Sequence, residues 1–136
     1  MTGEPRDLLR DAGTIAIVGA SANPARPSHD VMRAMLAAGY DCVPVNPGHA
    51  GGTILDRPCY ASLADVPGPI DIIDVFRRSD AVAGIVDEAL GLTPLPRVLW
   101  LQLGIRDPAA EERAREAGMA VVTGHCIKVE HMRLAG

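Results

Sequence analysis

The sequence predicts a three-layer, doubly wound α/β fold on a five-stranded parallel sheet, in a single domain spanning residues 1–136. Three observations predict it. Short apolar runs recur at Thr14–Val18, Asp41–Val45, Ile70–Phe76, Arg97–Leu103 and Met119–Val122. None sustains an alternation of apolar and polar residues, which is the pattern of strands covered on both faces. Segments of helical period separate them, so strand and helix alternate along the chain. With right-handed crossovers the expected strand order is 3-2-1-4-5.

Each element has its own signals. A short helix around Leu8–Asp11 is expected to lead into the first strand. Ser28 is placed to cap a helix through Val31, Met32, Met35 and Leu36, which Gly39 stops. Ser62-Leu63-Ala64-Asp65 reads as one capped turn before Pro67. Ser79 is placed to cap the next helix, whose Val82, Ile85, Val86, Ala89 and Leu90 share one face. Asp107-Pro108 reads as an N-cap with proline at the first helical position, and Gly118 closes that helix. The tail after Gly124 is expected to form a last short helix.

Composition narrows the function. Apolar residues make up 48% of the chain and only four residues are aromatic, so the core is aliphatic, as buried parallel strands require. Thirteen basic against 17 acidic residues leave a net charge of −4. That excludes a general polyanion binder, so no nucleic-acid partner is expected, but a local anion site is compatible with it. Met1-Thr2-Gly3-Glu4-Pro5-Arg6-Asp7 is charged where a signal peptide needs an apolar core, and no run has the length of a membrane span. Cys42, Cys59 and Cys126 are an odd number at unrelated spacings, which fits a reducing compartment. The expected location is cytoplasmic.

In an open parallel sheet, ligands bind at the C-terminal ends of the strands where the winding reverses. Here that is the mouth of the first strand, at Gly19-Ala20-Ser21-Ala22-Asn23-Pro24-Ala25-Arg26-Pro27-Ser28. Gly19 permits a tight turn. Ser21 and Ser28 offer hydroxyls, Arg26 a planar cation, and the following helix unpaired N–H groups, all suited to a phosphate. The dinucleotide fingerprint Gly-x-Gly-x-x-Gly is absent, because Ser21 and Pro24 stand in place of its second and third glycines. The second strand ends in Val45-Asn46-Pro47, with no carboxylate for a ribose hydroxyl. An NAD(P)-binding or redox-sensing Rossmann protein is the alternative that these departures weigh against.

Gly-Ala-Ser-x-x-Pro-x-Arg-x-Ser at 19–28, Gly39-Tyr40, Pro44-Val45-Asn46-Pro47, Asp74-Val75-Phe76-Arg77, Trp100-Leu101-Gln102-Leu103-Gly104 and Cys126-Ile127-Lys128-Val129-Glu130 carry a resemblance. From about Thr14 to Leu134 the chain resembles the small stand-alone CoA-binding proteins. Their Rossmann-like domain is similar to the N-terminal domain of the succinyl-CoA synthetase α subunit. The resemblance implies coenzyme A as cofactor, with Gly19, Ala20, Ser21, Arg26 and Ser28 at its phosphates. It further implies Val45, Asn46 and His49 near the adenosine and 3′-phosphate, and Phe76 and Arg77 beside the pantetheine arm. His49 stands where related ligase subunits tend to carry a lysine. Gly124-His125-Cys126 stands where the family tends to have an arginine before the cysteine.

No catalytic constellation is legible: the chain has no Ser-His-Asp order and no Cys-His pair with an orienting group. His125, Cys126 and His131 fall short of a metal site, and none is expected. Cys42 and Cys59 read as small core residues, and Asp71 and Asp74, three apart in a strand, point to opposite faces. The expectation is a non-catalytic module binding CoA or an acyl-CoA as sensor, carrier or regulator. A protein partner stays open.

Overall fold

The structure, a computed structural model, describes residues 4–135. The five apolar runs form one parallel sheet, the first two with the expected bounds and the other three shortened by one or two residues at one or both ends. Its strands are β1 (Thr14–Val18), β2 (Asp41–Val45), β5 (Ile72–Val75), β6 (Val98–Leu101) and β7 (Ala120–Val122), separated in the chain by a two-stranded antiparallel pair, β3 (Thr53–Ile54) and β4 (Arg57–Pro58). Side chains of one face, including Ile15, Ile17, Cys42, Ile72, Val98 and Trp100, pack under α1 (Pro27–Ala37) and α4 (Ile127–Ala135). Those of the other, including Ala16, Val18, Val43, Ile73, Val75 and Leu99, pack under α2 (Val82–Leu90) and α3 (Pro108–Ala117). Both faces are dry, which is why the strands are apolar throughout.

The doubly wound parallel fold is as expected, with one correction in the sheet. The order is β2-β1-β5-β6-β7, so the third strand of the sheet pairs with the first (Ile15 beside Ile72, Val18 beside Val75) and not with the second. In chain order of the five sheet strands this is 2-1-3-4-5. The physical reason lies in β2. Pro44 has no N–H to give a second neighbour, and proline belongs on edge strands. Among the described residues the backbone partner on that outer side is Tyr60, whose N–H donates to Pro44 O (3.1 Å) and whose carbonyl accepts from Asn46 N (2.9 Å). The chain then passes over the α2/α3 face through Leu63, Val66 and Ile70 and enters the sheet beside β1. Winding still reverses at β1, so the site expected there keeps its place.

Helix ends follow the signals unevenly. Asp107 caps α3, accepting from Ala110 N (3.1 Å), Pro108 is its first residue, and Gly118 ends it at φ +109°. Ser28 is not a cap: α1 starts at Pro27 after Arg26, and Ser28 is buried in its first turn. Ser79 lies in a 3-10 turn ahead of α2, and its Oγ accepts from Arg106 N (3.0 Å) instead. The helix expected at Leu8–Asp11 is a 3-10 helix at Pro5–Leu9. Helix α4 locks the last segment onto the first half of the domain. Lys128 Nζ donates to Asp30 Oδ2 of α1 (2.8 Å), Tyr40 Oη meets His131 Nδ1 (2.9 Å), and Trp100 Nε1 donates to the His125 carbonyl (3.0 Å).

Candidate functional site

Gly19 begins the site. Its N–H donates to Val45 O (2.9 Å) and its φ is +87°. A Cβ here would lie 2.7 Å from Phe76 O and 2.9 Å from Arg77 Cδ, so the loop after β1 can cross the end of β5 only as glycine. Beyond it the loop supports itself. Ser21 Oγ accepts from Asn23 N (3.0 Å), Asn23 Oδ1 from Ala25 N (2.9 Å), and Asn23 O from Arg26 N (3.0 Å). Among the described residues the N–H groups of Ala20, Ser21, Ala22 and Ser28 have no protein partner. The last belongs to the first turn of α1, where the helix dipole adds partial positive charge.

Asn46 staples this loop to the next one. Its Nδ2 donates to Ala20 O (2.8 Å) and its Oδ1 accepts from Gly48 N (2.9 Å), so the amide is spent on positioning. Asp30, in the first turn of α1, would oppose an anion, but hydrogen bonds from Lys128 and Arg33 hold its carboxyl below the usual carboxylate range and neutralise it. Exposed Arg26 has no ion-pair partner among the described residues.

These groups line a cleft of about 640 Å³ across the C-terminal ends of β1, β5 and β6. Of the expected residues it brings together Gly19, Ala20, Ser21, Arg26, Ser28, Asn46 and Phe76. Val45 is buried beneath, contributing its carbonyl to Gly19; His49 is exposed in the 3-10 turn after β2, and Arg77 is exposed beside Gly19. None of those three lines the cleft. Sequence reasoning missed its far wall, formed by Gln102, Leu103 and Ile105 after β6 and by Cys126 before α4. The Trp100–Gly104 motif was the available signal. Gln102 is buried and its Oε1 accepts from Ile127 N (3.1 Å), capping α4, while Leu103 is 64% exposed. A second cleft of about 610 Å³ along β7 is bordered by Glu4 and Asp7 and offers no comparable anion cradle.

Beneath the site Asp74 is wholly buried in β5 between Ile17 and Trp100, and neither carboxyl oxygen has a hydrogen-bond partner. Burial raises its pKa well above the usual value. Asp71 lies on the other side of the strand, as expected. Burial pulls its pKa up, but the N–H groups of Gly13 (2.7 Å) and Thr14 (3.0 Å) outweigh that and hold it low. One carboxyl is therefore an ionic clamp, while burial of the other favours its protonated form.

A family model described as a CoA binding domain matches residues 13–132. The chain belongs to that family. This CoA-binding domain is 41% identical over 128 residues to the uncharacterized protein YneT of Bacillus subtilis, covering 94% of this chain and 92% of that one. It superimposes with TM-score 0.90 and 44% identity on the solved structure of cell-free ID.343 from Thermus thermophilus, covering 96% of both chains. The dinucleotide forming acetyl-coenzyme A synthetase 1 of Ca. Korarchaeum cryptofilum, solved with phosphate and ADP, matches with TM-score 0.67 and 25% identity. That match takes in 88% of this CoA-binding domain but only 27% of the synthetase.

Proposed function

We propose that this protein binds coenzyme A or an acyl-CoA in the cleft at the C-terminal edge of its sheet, without catalysing a reaction on it, as a cytoplasmic sensor, carrier or regulator. The observation that carries the reading is the turn from β1 into α1, where among the described residues the N–H groups of Ala20, Ser21 and Ser28 and the Arg26 guanidinium are free at one end of the cleft. Coenzyme A has a pyrophosphate at one end of a long, largely apolar arm. Ala20, Ser21, Ser28 and Arg26 would hold the phosphates, and Phe76, Leu103 and Ile105 would flank the arm. Membership of the CoA-binding domain family supports the same ligand. No helix among the described residues is long and apolar enough to cross a membrane.

The NAD(P) alternative is not favoured. Ser21 and Pro24 replace the glycines that let a pyrophosphate approach the turn, and Asn46, already doubly bonded, replaces the ribose-binding carboxylate. Thermal melts with CoA, NAD and NADP test the proposal. A ligand at ~100 times its dissociation constant stabilises the native state by about 2.7 kcal/mol. Coenzyme A is expected to raise the melting temperature and the nicotinamide nucleotides to leave it unchanged; the reverse pattern refutes the assignment.

A further inference from the structure

Resting on that reading, we propose that Cys126 is an attachment site for coenzyme A itself, joined through a mixed disulfide by exchange with a coenzyme A disulfide. Two features of the far wall point there. Half-buried Cys126 opens into the same cleft as the loop after β1, and the backbone on either side of it is pinned. The preceding carbonyl, of His125, accepts from Trp100 Nε1 (3.0 Å), and the following N–H, of Ile127, donates to Gln102 Oε1 (3.1 Å).

The second feature is Gln102. It is only 7% exposed, and its Nε2 has no partner among the described residues although the side chain lines the cleft. A nearly buried amide donor facing a cleft calls for an acceptor from a ligand. The pantetheine arm carries two amide carbonyls between its phosphates and its sulfur. Gln102 follows β6, two strands from β1 in the sheet. At ~4.8 Å per strand it stands roughly 10 Å along the edge from the phosphate end. A donor for the arm and a thiol beside it thus lie where the far half of such a ligand would reach.

The other cysteines are unsuited to the reaction. Cys42 is fully buried, and burial, with Asp74 adding to it, pushes its thiol up to about 12; burial also raises Cys59. The attacking species in exchange is a thiolate with access to the disulfide. The Cys126 thiolate attacks one sulfur of the coenzyme A disulfide, a protein–CoA S–S bond forms as the original S–S bond breaks, and one coenzyme A thiolate leaves. The proton given up by Cys126 balances the one the departing thiolate takes from water. Cys126 is oxidised, one coenzyme A half is reduced, and no further oxidant enters. Such a site would report the ratio of coenzyme A disulfide to thiol.

The test is intact-protein mass spectrometry after incubation with coenzyme A disulfide without reductant, beside calorimetric titration with coenzyme A. The expected product gains the mass of one coenzyme A less two hydrogens, reversed by dithiothreitol and mapped by peptide digestion to Cys126. Cys126→Ser should abolish it, and Cys59→Ser should retain it. Glutathione disulfide, which lacks the nucleotide, should react at least about tenfold more slowly, and Arg26→Ala should remove that preference. Coenzyme A binding without an adduct overturns the attachment site and leaves the binding reading standing. An adduct on another cysteine, or equal rates with glutathione disulfide, also overturns it. Absence of coenzyme A binding in calorimetry overturns both.

Discussion

Arg26 stands where the loop after β1 meets the first turn of α1, exposed and free of any ion pair among the described residues. A charge-assisted hydrogen bond to a phosphate is worth on the order of 1.5–3 kcal/mol. Arg26→Ala is therefore expected to weaken coenzyme A about ten- to a hundredfold in titration calorimetry, with the melting temperature of the free protein unchanged. Gly19 is the opposite kind of residue, structural first. With φ at +87° and Phe76 O 2.7 Å from where a Cβ would stand, Gly19→Ala must displace backbone. Such strain costs about 1–3 kcal/mol, to be read in urea unfolding, and coenzyme A affinity should fall with it. Both residues were legible in the sequence because glycine after a first strand and arginine before a helix have local causes. Val45, His49 and Arg77 were assigned by resemblance alone, and the structure leaves all three outside the cleft lining.

Within β5, a buried carboxyl with no hydrogen-bond partner among the described residues occupies a central strand of the sheet. Asp74 has a pKa raised by burial, so the folded state holds its proton where the unfolded chain, with an ordinary value of ~3.9, releases it. The folded state then binds more protons, and stability falls as pH rises from ~4 toward the raised value. Below ~4 both states are protonated and the penalty vanishes. Asp74→Asn, which cannot ionise, is expected to flatten this dependence, as urea melts across pH would show. Sequence pattern revealed that Asp71 and Asp74 face apart, but not that one is clamped by Gly13 and Thr14 and the other bare. Those fates depend on what packs above each face. The strand order was less legible than the strands. Apolar runs identify buried strands, whereas their neighbours depend on a connection with no long helix; Pro44 was the one local sign that β2 lies at an edge. Ser28 and Ser79 misled as caps because each found another use, in burial and in holding Arg106.

At the scale of the whole molecule the described domain is a five-stranded sheet between two helical layers, with a small antiparallel pair beside it and a cleft at its C-terminal edge. The edge offers free N–H groups and an apolar wall, and the proposed reading is binding without catalysis. Incubation with a panel of acyl-CoAs should therefore return them intact by chromatography. Release of coenzyme A that scales with protein and survives Cys126→Ser would reveal a missed catalytic site. Half of the cleft was legible because the loop after β1 is contiguous in sequence. The other half gathers Phe76, Gln102, Leu103, Ile105 and Cys126 from three further connections, and only the topology brings them together.

The lock made by α4 sets an order on biosynthesis. Chains emerge N-terminus first, at ~5–20 residues per second. The loop after β1 is made early, and Asp30 beside it precedes its partner Lys128 by 98 residues, with Cys126 of the far wall made just before Lys128. A nascent chain halted after β7 would hold the glycine turn with Asp30 paired to Arg33 alone and the far wall still lacking Cys126. The cleft is therefore walled on both sides only once the residues around Cys126 have been made.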